Sequence, residues 1–150
     1  MRIPVRTLKA ARRAKLSLPL ACSILMQESG GGLNEFGHDP TIYIGAGVVT
    51  KQKYLAYRAE RDKTGQAQGV GPCQLTLPAF QNRADQLGGC WDPLCNMVEG
   101  FTSLAGNIRR DGLRPAVVGY NGSGPAAEHY ADVVLARAQG YAARLHLPAP

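Results

Sequence analysis

An α+β domain, predominantly helical, with about seven helices and a small β-sheet, is what the residue pattern of this 150-residue chain predicts. Three observations point there. Proline or a hydroxyl residue repeatedly stands just ahead of apolar residues spaced three and four apart, the start signal and the period of amphipathic helices. Few stretches carry the branched and aromatic residues of a strand. Glycine, 18 residues, and proline, 10, break the chain into short elements joined by loops. At 45% hydrophobic and 19% charged the composition suits one ordinary core, and excludes a disordered tail, a fibre or a mini-protein held by disulfides. The length predicts a single domain, residues 1–150.

Pro4 followed by Val5, Leu8 and Ala11 predicts a short basic helix to about Lys15. Ser17 then reads as an N-cap with Pro19 in the first turn, and Leu20, Ala21, Ile24 and Leu25 carry a second helix to Gln27 or Glu28, where three glycines stop it. Ile42, Tyr43 and Ile44, then Val48 and Val49, suggest one or two strands, and residues 70–77 one more. Thr50 opens a polar helix to about Arg61. Pro78 starts a helix to Leu87, Pro93 one through Met97, Phe101, Leu104 and Ile108, Arg114 a short one to Tyr120, and Pro125 the last, to Leu145. Residues 147–150 read as the beginning of a linker.

Lys and Arg number 17 against 11 acids, a net charge of +6, and the whole excess lies in Arg2, Arg6, Lys9, Arg12, Arg13 and Lys15, ahead of the first acid, Glu28. Such a lobe suits nucleic acid, anionic lipid or an acidic wall polymer. No aromatics interleave those charges, which weighs against single-stranded nucleic acid. The lobe and the apolar run from Leu16 to Met26 imitate an export signal, but Ser17, Pro19 and Ser23 dilute the run, and nothing reaches the roughly 20 apolar residues of a membrane span. The expectation is a protein without its own export signal and without membrane insertion. Cys22, Cys73, Cys90 and Cys95 match no common zinc spacing, nor do His38, His129 and His146. Cys90 and Cys95 bracket a four-residue turn that fits a small disulfide loop and equally two reduced thiols. No metal and no cofactor is expected.

Glu28 falls on the apolar stripe of its helix, at the C-terminal end. Burial and the negative end of the helix both disfavour the charged form, so its pKa is expected to rise. A carboxyl kept protonated near neutral pH suits a general acid. The plainer alternative is a Glu at a frayed helix end, turned outward or paired with an arginine of the first helix. Three further segments follow in order: Gly71-Pro72-Cys73-Gln74-Leu75; Asn96, Met97 and Gly100 after Asp92-Pro93; and Ala116, then Gly119-Tyr120-Asn121-Gly122.

Together with Glu28-Ser29 these segments resemble the catalytic domain of soluble lytic transglycosylases and goose-type lysozymes, whose signature runs Glu-Ser, Gly-x-x-Gln-Leu, Asn-Ile-x-x-Gly and Ala-Tyr-Asn-x-Gly. The resemblance extends from about Leu18 to Tyr141. Gly119 stands where the family has Ala, Met97 where it has Ile, and Pro72-Cys73 where it has Leu-Met. The resemblance implies a lysozyme-like fold and cleavage of the β-1,4 bond between N-acetylmuramic acid and N-acetylglucosamine in bacterial peptidoglycan, as in the lytic domain of an actinobacteriophage endolysin. Such a protein is made in the host cytoplasm and acts on the wall after release, as a monomer and without a nucleic-acid partner. Glu28 would be the acid. Ser29 would bond Glu28 or the leaving sugar, Gln74 an N-acetyl group, and Tyr120 and Asn121 would hold the acid and a sugar from the opposite wall. Asn96 would support the cleft floor.

A lytic transglycosylase needs one carboxyl, whereas an inverting hydrolase needs a second, about 6.5–9.5 Å away, to activate water. Asp39, in Phe36-Gly37-His38-Asp39-Pro40, is the candidate for that second role, although an Asx turn before proline is the commoner reason for an acid at such a place. Residues 45–69 are expected to form a wall or lid of the cleft, and Trp91 and Tyr43 to stack on a sugar or cover the core. A catalytically silent wall-binding module and a DNA-binding domain driven by the basic lobe are the competing readings; the latter predicts affinity that falls steeply with salt and no lysis.

Overall fold

The computed structural model describes residues 1–37 and 47–150, and among them the chain forms seven helices: α1 (Val5–Ala14), α2 (Leu18–Ser29), α3 (Lys51–Thr64), α4 (Pro78–Gln86), α5 (Pro93–Asp111), α6 (Leu113–Asn121) and α7 (Pro125–Leu145). Each predicted helix is present, with ends within a few residues of expectation. Asp92 and Thr50 cap their helices through side-chain oxygens that accept from the backbone N–H of Cys95 and Lys53. Ser17 sits at the N-cap of α2 with extended backbone, but its hydroxyl makes no cap bond. One of the two amides it would accept from belongs to Pro19, which has none.

The long helix α5 lies at the centre, packed against α1, α4 and α6, while α2 runs along α7. Met97, Phe101 and Leu104 of α5 are sealed from solvent. Thr7, Ala10, Ala11 and Ala14 form the buried face of α1, so small residues bring it close to α5. Its six cations, Arg2 and Lys15 at its ends included, all lie exposed, and none forms an ion pair among the described residues. No helix among the described residues is long and apolar enough to cross a membrane.

The predicted sheet is not present among the described residues, where pairing is confined to isolated bridges: Glu35 with Val48, Phe36 with Val70, and Val70 with Leu75. The segment read as a strand, 70–77, instead folds back on itself. Gly71 and Gln74 have positive φ, 74° and 47°, and Val70 and Leu75 exchange both backbone hydrogen bonds across the resulting turn at 3.1 Å each. The apolar residues Val70, Cys73 and Leu75 are buried, but the geometry that buries them is a turn. Ile42, Tyr43 and Ile44 lie outside the described residues.

Helix α3 carries Tyr54, Tyr57 and Arg61 inward. Arg61 is 3% exposed and donates to Gln81 at 2.7 Å and Asn82 at 2.8 Å, which ties α3 to α4. Trp91 packs on Tyr54 with ring centroids 5.6 Å apart and lies under the Lys51 ammonium, so it covers the core. All four thiols are free. The Cys90–Cys95 bridge that the spacing allowed is absent: Cys90 is buried beside Asn96, whereas Cys95, in the first turn of α5, donates to the carbonyl of Leu87.

Candidate active site

Three of the sequence segments singled out above converge on the fourth, the turn 70–75. Asn96, fully buried on α5, accepts from the Cys73 amide at 2.9 Å and donates to the Val70 carbonyl at 2.8 Å. Tyr120, from α6, donates to the Cys73 carbonyl at 2.8 Å. Ser29, from the end of α2, donates to the Pro72 carbonyl at 2.7 Å. Gln74 donates through its side-chain nitrogen to the carbonyls of Glu35 and Gly71, both at 3.0 Å. Two glycines make the fit: a Cβ on Gly71 would stand 2.5 Å from the Asn96 side chain, and one on Gly100 2.7 Å from Cys73. The Gly-x-x-Gln-Leu and Asn-x-x-x-Gly spacings are thus two sides of one packing contact.

The turn forms one wall of a cleft of about 490 Å³. Glu28 and Tyr120 line it together with Gln74, Thr76 and the exposed Asn121, and the segment Ala67, Gln68, Gly69 continues the wall beyond. The predicted wall between 45 and 69 is therefore formed, over its described part, by the last three residues of that stretch. A second hollow of about 250 Å³ adjoins through Glu28 and Gln74 and is lined by Ser29, Leu33, Glu35 and Phe36.

Glu28 is half-buried in the last turn of α2, and burial pushes its carboxyl above the ordinary range. No cation pairs with it among the described residues, which removes the alternative of a surface ion pair with α1. Its one hydrogen-bond partner among the described residues is the hydroxyl of Tyr130, which donates to Oε1 from α7 and partly offsets the upward shift. Burial raises the Tyr130 phenol as well, so it remains a donor. The helix pair fixes this contact: one turn further along α7, Val134 accepts from Ser23 at 2.7 Å, and Arg137 donates to Gln27 at 3.1 Å.

Ser29 and Tyr120 hold the turn and do not hold Glu28, since each spends its hydroxyl proton on a backbone carbonyl. Asp39, with His38 and Tyr43, lies outside the described residues. Three residues escaped the sequence reading: Tyr130, which bonds Glu28, Gln68, which lines the cleft, and Glu35, which lines the adjoining hollow. Tyr130 had a legible signal. It shares the apolar stripe of α7 with Ala127, Ala131, Val134 and Ala138, and a buried tyrosine hydroxyl needs a partner.

Compared with protein-family models, curated proteins and solved structures, the chain finds no match. The site therefore has to be judged on its own geometry. A protonatable carboxyl without a counter-ion, steadied by a neutral donor on the rim of an open cleft, is suited to giving a proton to a bound ligand. No group of three His, Cys, Asp or Glu side chains among the described residues converges on a metal site.

Replacing Tyr130 with Phe removes a contact that favours the ionised carboxyl and leaves the burial in place. The Glu28 pKa is therefore expected to rise further. Carbon-detected NMR titration of the Glu28 carboxyl checks this, and a downward shift would refute it.

Proposed function

We propose that this chain is the catalytic domain of a peptidoglycan-degrading glycosidase of lysozyme-like fold, acting as a lytic transglycosylase in phage-driven lysis of the bacterial wall. The observation that carries the reading is Glu28, a carboxyl raised by burial and free of cations, on a cleft whose wall is the turn that Ser29, Asn96, Tyr120 and Gln74 hold. The likeness of those four segments to the lytic transglycosylase signature supplies the substrate.

In this mechanism protonated Glu28 donates to the oxygen between N-acetylmuramic acid and N-acetylglucosamine as that bond breaks. The resulting carboxylate takes the proton of the muramoyl C6 hydroxyl, whose oxygen closes on the anomeric carbon and leaves a 1,6-anhydro end. No water is consumed, and a single carboxyl suffices. Mass analysis of muropeptides released from purified peptidoglycan tests this. Products lighter by one water than reducing ends support the transglycosylase, and reducing ends overturn it in favour of a hydrolase. Among the described residues Glu35 is then the second acid to examine, since it lines the hollow beside Glu28; Asp39 remains the candidate outside them.

The exposed cations of α1 suit docking on anionic wall polymer. Deleting residues 1–15 would strip a packed helix from α5, so substitution of Arg6, Lys9 and Arg13 by Gln is the cleaner experiment. The lytic rate is expected to fall at low ionic strength and the deficit to close as salt approaches about 1 M, where charges are screened beyond about 3 Å. A deficit independent of salt would refute electrostatic docking.

A further inference from the structure

Gln68 is 3% exposed, yet neither its side-chain nitrogen nor its side-chain oxygen has a hydrogen-bond partner among the described residues. An amide buried in this state is costly and calls for a reason. The neighbouring polar groups are already spent. The backbone of Gln68 accepts from Gln81 at 2.9 Å and from Tyr57 at 3.3 Å, and donates to the Tyr57 hydroxyl at 3.0 Å. Gln81 Oε1 is taken by Arg61 at 2.7 Å. The main chain is thus fixed and only the side-chain amide is uncommitted.

Gln68 lines the cleft that holds Glu28 and Gln74. On that wall Gln74 has no N–H left to offer, because both protons of its side-chain nitrogen go to the carbonyls of Glu35 and Gly71. A ligand group needing both a donor and an acceptor from this wall must find them elsewhere. A primary amide offers one of each, side by side, and its complement is a secondary amide. From this we infer that Gln68 is a specificity residue of the cleft that pairs with the acetamido group of an N-acetylated sugar. Its C=O accepts the acetamido N–H and its NH₂ donates to the acetamido C=O, after side-chain rotation alone. The inference rests on the glycan reading of the cleft.

The test uses the full chain carrying Glu28→Gln, so that nothing is turned over. Affinities for N-acetylglucosamine tetramer and for its de-N-acetylated counterpart are measured by titration, with and without Gln68→Met, alongside thermal unfolding. Methionine keeps the length and removes both polar atoms. The expected result is roughly tenfold weaker binding of the acetylated tetramer, the scale of one or two neutral hydrogen bonds. Binding of the de-N-acetylated tetramer should be unchanged, and Tm unchanged or higher because an unpaired buried amide is gone.

Equal loss for both ligands, or loss for neither, overturns the inference, as does a chain that binds neither tetramer. Lysis is scored separately on the chain with Glu28 intact. Absent lysis with preserved discrimination removes the enzymatic reading and leaves Gln68 as an acetamido reader, whereas full lysis with unaltered discrimination in Gln68→Met does the reverse.

Discussion

Glu28→Gln is expected to lower the rate of peptidoglycan cleavage by about 10²–10⁴, the range general acid catalysis contributes, and to leave the fold intact. Gln matches Glu in shape and can still accept from Tyr130, so the helix pair α2–α7 keeps its contact at this point. The variant cannot give up a proton. Turbidity loss of a cell-wall suspension, followed by muropeptide analysis, measures the effect. Retention of more than about a tenth of the rate would remove Glu28 from the chemistry.

The same substitution carries a stability signature of definite sign. Glu28 has a higher pKa in the folded chain than in the unfolded one, so the folded state holds its proton more tightly. The stabilisation this gives is complete below the unfolded pKa and is lost as pH rises through the folded value. Glutamine has no such loss. Tm of the variant should therefore exceed that of the native chain near pH 7, and the two should converge toward pH 4. An ordinary solvated or ion-paired carboxyl would give no gain or the opposite order.

The helices were legible because each is announced locally. Pro78, Pro93 and Pro125 open theirs, and Gly30 ends α2 in the left-handed region at φ 64°. Glu28 was legible for a similar reason: a lone acid on an apolar stripe is a conflict visible in one helix. What the sequence concealed depends on chain-distant partners. Residues 70–75 carry apolar residues that suit a strand, and partners distant in the chain, Asn96, Ser29 and Tyr120, hold them turned back on themselves. The expected contact of Ser29 and Tyr120 with the acid is not formed, because their hydroxyl protons go to carbonyls 43 and 47 residues away, partners that the motif does not name. Gln68 left no trace in the pattern, since a missing hydrogen bond has no sequence signal.

Asn96 accordingly makes the second large prediction, one of stability. Its side chain is fully buried, accepts from the Cys73 N–H and gives the Val70 carbonyl a second bond beside the one from the Leu75 N–H. Truncation to Ala strands the buried Cys73 donor, at about 1–3 kcal/mol, removes one of the two bonds to the Val70 carbonyl and opens a void between the turn and α5. Asn96→Ala is expected to cost about 2–4 kcal/mol, a large share of the 5–15 kcal/mol typical of a domain. Chemical denaturation reads it directly, and a loss below about 1 kcal/mol would mean the turn is held by Ser29, Tyr120 and Gln74 without it. Asn96→Asp separates the two bonds. The carboxylate keeps an acceptor for Cys73 but sets a negative oxygen against the Val70 carbonyl, where only its protonated form can donate. Burial raises that carboxyl's pKa, so the variant should be closer to the native stability at low pH and lose ground as pH rises. Because the turn also carries Gln74 into the cleft, lysis by either variant should fall even well below its Tm, without the change in product chemistry that a missing acid would bring.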